Sequence, residues 1–170
     1  MDRATAAGVL RRGLGAHRRE LVMAALLVAV HQLAEAAVPV MVGWVIDLAV
    51  VQRDSGALAR WLGVVVAVFV VLAGSAWFGY WWGARTERVA AHHVRLDVAA
   101  RVLHPGGGAP GRPGELVSTA GADADRAGEV CRVVWGGAAA LAALAGGAVV
   151  LLDASVLLGL VVLGLSLIHI

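Results

Sequence analysis

Long apolar stretches, separated by charged segments, dominate the chain. The second and third stretches contain no charged residue, whereas polar residues interrupt the first at His31, Gln32 and Glu35. A helix needs about 20 apolar residues to cross a bilayer. Four stretches approach or exceed this length: Leu21 to about Ile46, Trp61–Ala84, Val133–Leu152 and Ala154–Ile170. The pattern predicts an all-α integral membrane protein with four transmembrane helices.

Composition supports this class and excludes others. Of the 170 residues, 60% are hydrophobic and only 15% are charged, and the mean hydropathy is +0.81. Soluble domains contain about 45–50% apolar and about 25% charged residues, and disordered chains have low hydrophobicity. The net charge of +2 is too small, and the arginines too dispersed, for a nucleic-acid-binding protein. A lipid bilayer is therefore the expected partner.

The arginines predict the orientation. Twelve of the 14 lie in residues 1–20 or in the segment 85–132, and the other two are Arg53 and Arg60. Cytoplasmic segments of membrane proteins carry the excess of positive charge, so we expect residues 1–20 and 85–132 in the cytoplasm. The chain also contains neither Lys nor Asn. Both residues have AT-rich codons, so their joint absence indicates a GC-rich bacterial genome and a bacterial cell membrane.

The long segment 85–132 has helical character. Apolar residues at helical spacing predict that span two continues to about His104, roughly 30 Å beyond the membrane. Pro105 and Gly106–Gly108 are expected to end this helix. A short helix is predicted near Gly114–Val117, and Asp123 is expected to cap a further helix that leads into span three. Spans two and three are thus both extended into the cytoplasm.

Several short motifs carry a family resemblance. They are Val38-Pro39, Gly43 and Ile46-Asp47 at the end of span one; Arg95, Leu96 and Val102-Leu103 in the extended helix; and Gly114-Glu115-Leu116-Val117-Ser118 followed by Asp123 and Asp125. With the long cytoplasmic excursion, this pattern resembles the start of the type 1 transmembrane domain of ABC exporters over about residues 10 to 165. Family members usually carry an aromatic pair and an acid where this chain has Gly107–Gly111.

The resemblance implies one part of an ATP-driven exporter. It makes residues 21–164 a partial six-span domain, and Gly114, Glu115, Leu116, Val117 and Ser118 the first coupling-loop contact to a nucleotide-binding domain, fused or separate. It also implies a second transporter half, as a homodimer or heterodimer. ATP and magnesium are expected on the nucleotide-binding domain. This chain has no lysine and hence no Walker A motif, so we predict no catalytic residue, cofactor or metal within it.

The end of the chain suggests a shortened sequence. Two of the three isoleucines lie at Ile168 and Ile170. The tail 165–170 also reads as the translation of a transposase adapter used in sequencing libraries. We therefore expect the natural sequence to diverge near Gly164.

Two groups of residues are candidates for function within the spans. His31, Gln32 and Glu35 lie close together in span one, and polar groups at membrane depth often line a substrate cavity. The alternative is that Glu35 compensates for Pro39, whose ring displaces the carbonyl four residues before it. The second group consists of Trp77, Trp81 and Trp82, which fit an aromatic belt near the cytoplasmic end of span two. The alternative is that these rings stack on a ligand.

Two other functions fit the same spans. One is a complete four-span transporter driven by protons, with Glu35 as the exchanging carboxylate. The other is a membrane anchor or assembly partner without transport activity, whose segment 85–132 binds another protein.

Overall fold

The computed structural model describes residues 18–106 and 112–168, and within these ranges the chain is helical without any strand. Three parts of the chain lie outside the described residues: 1–17, the glycine-rich residues 107–111 and the last two residues. The first of these makes up most of the predicted N-terminal segment, 1–20. The elements are α1 (Arg18–Val45) with a π-helical turn (Ile46–Val50), α2 (Ser55–Val102), α3 (Pro113–Ser118), a second π-helical turn (Thr119–Asp123), α4 (Ala124–Ala154) and α5 (Val156–Ile168).

Three of the described helices are long and apolar enough to cross a membrane, namely Arg18–Val50, Ser55–Val102 and Gly114–Ala154. The sequence predicted four. In place of the fourth span the structure has α5, with 13 residues, or about 20 Å of helix. A Cβ atom on Gly159 would lie 3.2 Å from the Cα atom of Leu152. This close approach shows that α5 folds back against the end of α4.

Helix α2 contains 48 residues, about 72 Å at 1.5 Å per residue. It continues without a break past Ala84, which confirms the predicted helical extension, and it ends at Val102, shortly before Pro105. A proline disfavours helical geometry in the residue before it, and this accounts for the position of the end.

Helix α4 begins at Ala124, next to the predicted start at Asp123, but it continues from a π-helical turn and does not start from a separate cap. Ser118 and Ala124, on either side of the second π-helical turn, both have helical backbone angles (φ −61°, ψ −43° and φ −63°, ψ −42°). The amide of Ala124 donates to the carbonyl of Thr119, so hydrogen bonding continues through the segment. The Asp123 carboxylate pairs with Arg126 at 3.4 Å. Because a wider turn accommodates the extra residue, α3 and α4 need no separating cap.

The fold divides into two compact units. The first, which we call the charged unit, comprises residues 18–25, 79–106 and 112–137 of the described part. The second, the apolar unit, comprises residues 26–78 and 138–168. Each has its own packing.

Small residues allow close helix packing in the charged unit. The buried residues of α4 are Ala124, Gly128, Cys131 and Trp135. Their spacings of four, three and four residues place them on one face of the helix. A Cβ atom on Gly128 would lie 2.7 Å from the Glu87 carbonyl oxygen, and one on Gly83 would lie 2.7 Å from the Trp135 ring. Glycine is therefore required where α2 and α4 touch.

A tight turn joins α1 to α2 in the apolar unit. The Asp54 amide donates to the Ala49 carbonyl (3.1 Å), the Arg53 amide donates to the Val50 carbonyl (3.2 Å), and Arg53 has a φ of 54°. This is the hydrogen-bond pattern of a Schellman cap. The Asp54 carboxylate then accepts a hydrogen bond from the Ala57 amide at 2.9 Å, which caps α2. One helix thus ends and the next begins within four residues, Val51–Asp54.

Large apolar side chains are exposed along all the long helices. They include Leu26, Val66, Phe69, Val70, Leu141 and Val149. Continuous apolar surface of this extent is typical of a surface that lipid or a partner covers.

The contact between Gly128 and Glu87 gives a first prediction. Gly128→Val is expected to lower the free energy of unfolding by about 1–3 kcal/mol, because the new side chain would force α2 and α4 apart. Thermal unfolding in detergent measures this. Gly136→Val is the matched control on the same helix, since a Cβ atom there meets nothing within 4 Å. Equal shifts for the two variants would contradict the packing argument.

The cap at Asp54 gives a second prediction. The Ala57 amide holds the pKa of the Asp54 carboxyl below its usual range, so the folded state favours the carboxylate. Stabilisation of the first turn of α2 is then present above the ordinary value of about 3.9, and it is lost as the pH falls through the lower folded value. Hydrogen-exchange protection of residues 55–58 should fall at acid pH in the natural chain. Asp54→Asn, which caps the helix without titrating, should show no such fall. An equal loss of protection in the natural chain and in this variant would show that titration of Asp54 is not the cause.

Candidate functional site

Helix α3, the short helix at the end of the charged unit, is held by its own residues. The Arg112 amide donates to the Glu115 carboxylate at 3.3 Å, and the Glu115 amide donates to the Arg112 carbonyl at 2.9 Å. Pro113 suits the first helical turn because that position needs no amide donor. The Thr119 hydroxyl donates to the Glu115 carbonyl at 2.9 Å. Glu115 therefore holds both ends of this helix.

The surface of α3 is available to a partner. Gly114, Glu115, Val117 and Ser118 are exposed, and Leu116 is half-buried. Val117 is 73% exposed, an apolar side chain on an otherwise polar surface. A partner could cover this side chain, since the centres of protein interfaces are more apolar than their rims. The structure thus places the five predicted coupling residues on one small, mostly exposed helix.

Arg95 connects the second π-helical turn to α2. Its Nε donates to the Ala120 carbonyl at 3.1 Å, and its Nη2 donates to the Asp125 carboxylate at 2.6 Å. The two acceptors lie within the π-helical turn and at the start of α4, so one guanidinium holds both. Hydrogen bonds from a charged donor to a carboxylate are short and comparatively strong. We call this arrangement the Arg95 clamp.

A polar cleft of about 380 Å³ lies between α2 and α4 in the charged unit. Its floor is the contact between Gly128 and Glu87, and the Trp135 indole donates to the Glu87 carboxylate at 3.2 Å. Arg132 pairs with Glu129 at 3.2 Å. Three arginines and three carboxylates balance one another along the cleft, which is lined by Glu87, Arg88, Ala91, Arg95, Asp125, Gly128, Glu129 and Arg132. The lining of the cleft thus has no excess of either charge, which does not favour an ion of one sign.

The polar residues of span one lie in the apolar unit. His31 Nδ1 donates to the Leu72 carbonyl at 3.0 Å, and the Ser75 hydroxyl donates to the same oxygen at 3.1 Å. Nε2 of His31 lies 4.0 Å from the Glu35 carboxylate. The side chain of His31 is 15% exposed and that of Glu35 is 65% exposed. His31 thus connects α1 to α2, and Glu35 faces outward.

An apolar groove of about 350 Å³ also lies between α1 and α4 of the apolar unit. It is lined by Leu33, Ala36, Ala37, Val40, Met41, Trp44, Ala145, Gly146, Val149 and Val150. His31, Gln32 and Glu35 do not line it. Their assignment to a substrate cavity stays a prediction, as does the compensation of Pro39 by Glu35.

Sequence reasoning missed the contacts that build the cleft. Glu87 and Trp135 are 48 residues apart, and neither was a candidate. One signal in the sequence could have identified Trp135. It is the last residue of a series at helical spacing on α4, after Ala124, Gly128 and Cys131. The facing residues of α2 follow only from the tertiary contact.

Comparison with protein-family models, curated proteins and solved structures finds no match to this chain. Within residues 18–106 and 112–168, no group of three or more His, Cys, Asp or Glu side chains could hold a metal ion.

The Arg95 clamp gives a third prediction. Arg95→Ala should increase hydrogen exchange at residues 119–125, because it removes two bonds that hold this segment. A double-mutant cycle with Asp125→Ala should give a coupling energy near 1 kcal/mol, the upper end for exposed ion pairs, and it should fall with added salt.

Arg126→Ala is the matched control, since Arg126 pairs only within its own helix turn, with Asp123. It should leave exchange at residues 119–121 unchanged. Equal effects of the two substitutions would show that Arg95 acts only as a surface charge.

Proposed function

We propose that this chain is the first part of the transmembrane half of an ATP-driven ABC exporter in a bacterial cell membrane, with residues 1–20 and 85–132 in the cytoplasm. The observation that carries the proposal is the pair of overlong helical segments. Ser55–Val102 and Gly114–Ala154 contain 48 and 41 residues, about twice what a bilayer needs. The six-residue helix α3 (Pro113–Ser118) forms the start of the second segment and follows the end of the first along the chain.

The division of charge along α2 supports the membrane placement. Trp61–Ala84 is uncharged, and the charged residues of the second half begin at Arg85. From Arg85 to Val102 the helix extends about 27 Å. The exposed apolar side chains of the uncharged half would face lipid, since they would otherwise face water. This arrangement holds α3 away from the membrane surface.

The residues of α3 supply the expected contact with a nucleotide-binding domain. Val117 provides an apolar side chain for a nucleotide-binding domain to cover, and Glu115 keeps α3 helical while that contact forms. ATP and magnesium would be held by the nucleotide-binding domain, which powers the transport cycle. Movement of α3 would reach α2 through the Arg95 clamp and α4 through the π-helical turn. His31, Gln32 and Glu35 would lie along the substrate pathway.

A crosslinking experiment tests this proposal. In cells that express the intact protein, with the buried Cys131 replaced by Ser, Val117→Cys should crosslink to a nucleotide-binding domain, in the same chain or a separate one. Val133→Cys is the matched control. The two valines are 73% and 72% exposed, but Val133 begins the apolar part of α4 and should not reach that domain.

The captured protein decides between the alternatives. A partner without ATPase motifs, recovered from Val117→Cys alone, would favour the assembly-partner function. Absence of any crosslink specific to position 117 would contradict the proposal.

A further inference from the structure

The first charged residue after the uncharged stretch of α2 has an unusual environment. Arg85 follows 24 residues without a charge, Trp61–Ala84. With the chain placed in a membrane as proposed above, its guanidinium lies at the depth of the lipid headgroups, where arginine and tryptophan are both enriched. Arg85 thus lies where the phosphates of the cytoplasmic leaflet are within reach.

Two tryptophan rings hold the Arg85 side chain. Its Cζ atom lies 5.9 Å from the centroid of the Trp81 ring and 6.0 Å from that of Trp82. The two rings meet edge to face, with centroids 5.0 Å apart and an interplanar angle of 78°. A cation within about 6 Å of an aromatic ring is attracted to it. Residues 81, 82 and 85 are neighbours on one helix, so the cluster needs no other element to form.

Within residues 18–106 and 112–168, no carboxylate neutralises the charge of Arg85. Arg95, Arg126 and Arg132 each pair with a carboxylate at 2.6, 3.4 and 3.2 Å. In the described ranges no carboxylate forms an ion pair with Arg85. Glu87, two residues further along, instead accepts a hydrogen bond from the Trp135 indole. As far as the described residues go, the guanidinium of Arg85, which has five N–H donors, is open to an external acceptor.

We infer that Trp81, Trp82 and Arg85 form a binding site for the phosphate group of an anionic phospholipid in the cytoplasmic leaflet. This inference rests on the proposed membrane placement. Guanidinium groups match phosphate geometry with two parallel hydrogen bonds. Trp81 is 47% exposed, and its ring gives the glycerol and upper acyl region an apolar surface. That surface favours a lipid over a free phosphate ion.

Bound lipid would fix the depth of α2. Because α2 continues about 27 Å beyond Arg85, the depth of this residue sets the height of α3 above the membrane.

The test uses the whole chain in nanodiscs of phosphatidylcholine, with or without phosphatidylglycerol. Phosphatidylglycerol should raise the Tm and be retained in native mass spectrometry. Arg85→Gln should weaken its binding about fivefold, as expected for one charge near a membrane surface. Arg85→Lys should recover only part of the binding, because an ammonium group lacks the planar fork.

Arg101→Gln is the matched control. Arg101 is an exposed arginine of the last turn of the same helix, far from the uncharged half, and its replacement should change nothing. Equal losses in the two glutamine variants, or full binding by Arg85→Gln, would overturn the site. Equal stabilisation by inorganic phosphate in phosphatidylcholine nanodiscs would overturn its assignment to a lipid.

Measuring whether the chain inserts into nanodiscs distinguishes failure of this inference from failure of the proposed membrane placement. If the natural chain fails to enter nanodiscs, the membrane placement fails and the lipid site with it. If the chain and its variants insert equally but Arg85→Gln binds like the natural chain, only the lipid site fails.

Discussion

The backbone of Gly128 lies directly against that of Glu87, and the geometry of the charged unit depends on this contact. Any side chain at position 128 would separate α2 from α4. The Trp135 indole would then lose the Glu87 carboxylate, and the walls of the polar cleft would move apart. The Arg95 clamp crosses between the same two helices. The absence of a side chain at Gly128 thus sets the distances over which the polar groups of this unit interact.

The ion pairs of this unit differ in what they can transmit. Arg126 with Asp123 and Arg132 with Glu129 are pairs three residues apart on one helix face. Such solvated local pairs contribute little and do not connect separate elements. Arg95 joins residues 25 and 30 positions away, and it binds a backbone oxygen as well as a carboxylate. Only this kind of contact makes the position of one helix depend on another.

Periodicity and local residue chemistry predicted much of the fold. The helical spacing of apolar residues extended α2 beyond Ala84, and Pro105 marked its end, because both are local properties of the backbone. The unbroken path from α3 into α4 was not predictable in this way. An aspartate at position 123 is a good helix cap by propensity, but a wide helical turn satisfies the same amides without it. The pairing of Glu87 with Trp135 depends on which helix faces meet, and a single sequence does not contain that information in local form. The coupling residues of α3 came from a family resemblance, and their functional role is still a prediction.

The second π-helical turn changes the phase of the helix that carries the tip. Residues seven apart on an α-helix lie within about 20° of each other around the axis. By that count Val117 belongs to the same face as Ala124 and Cys131, both of which are buried. The widened turn at Thr119–Asp123 adds one residue, which is worth about 100° of rotation. Val117 is thereby turned out of the buried seam and into contact with the surroundings. The one additional residue in the π-helical turn thus places Val117 on the surface, although its spacing from Ala124 and Cys131 is that of a buried residue.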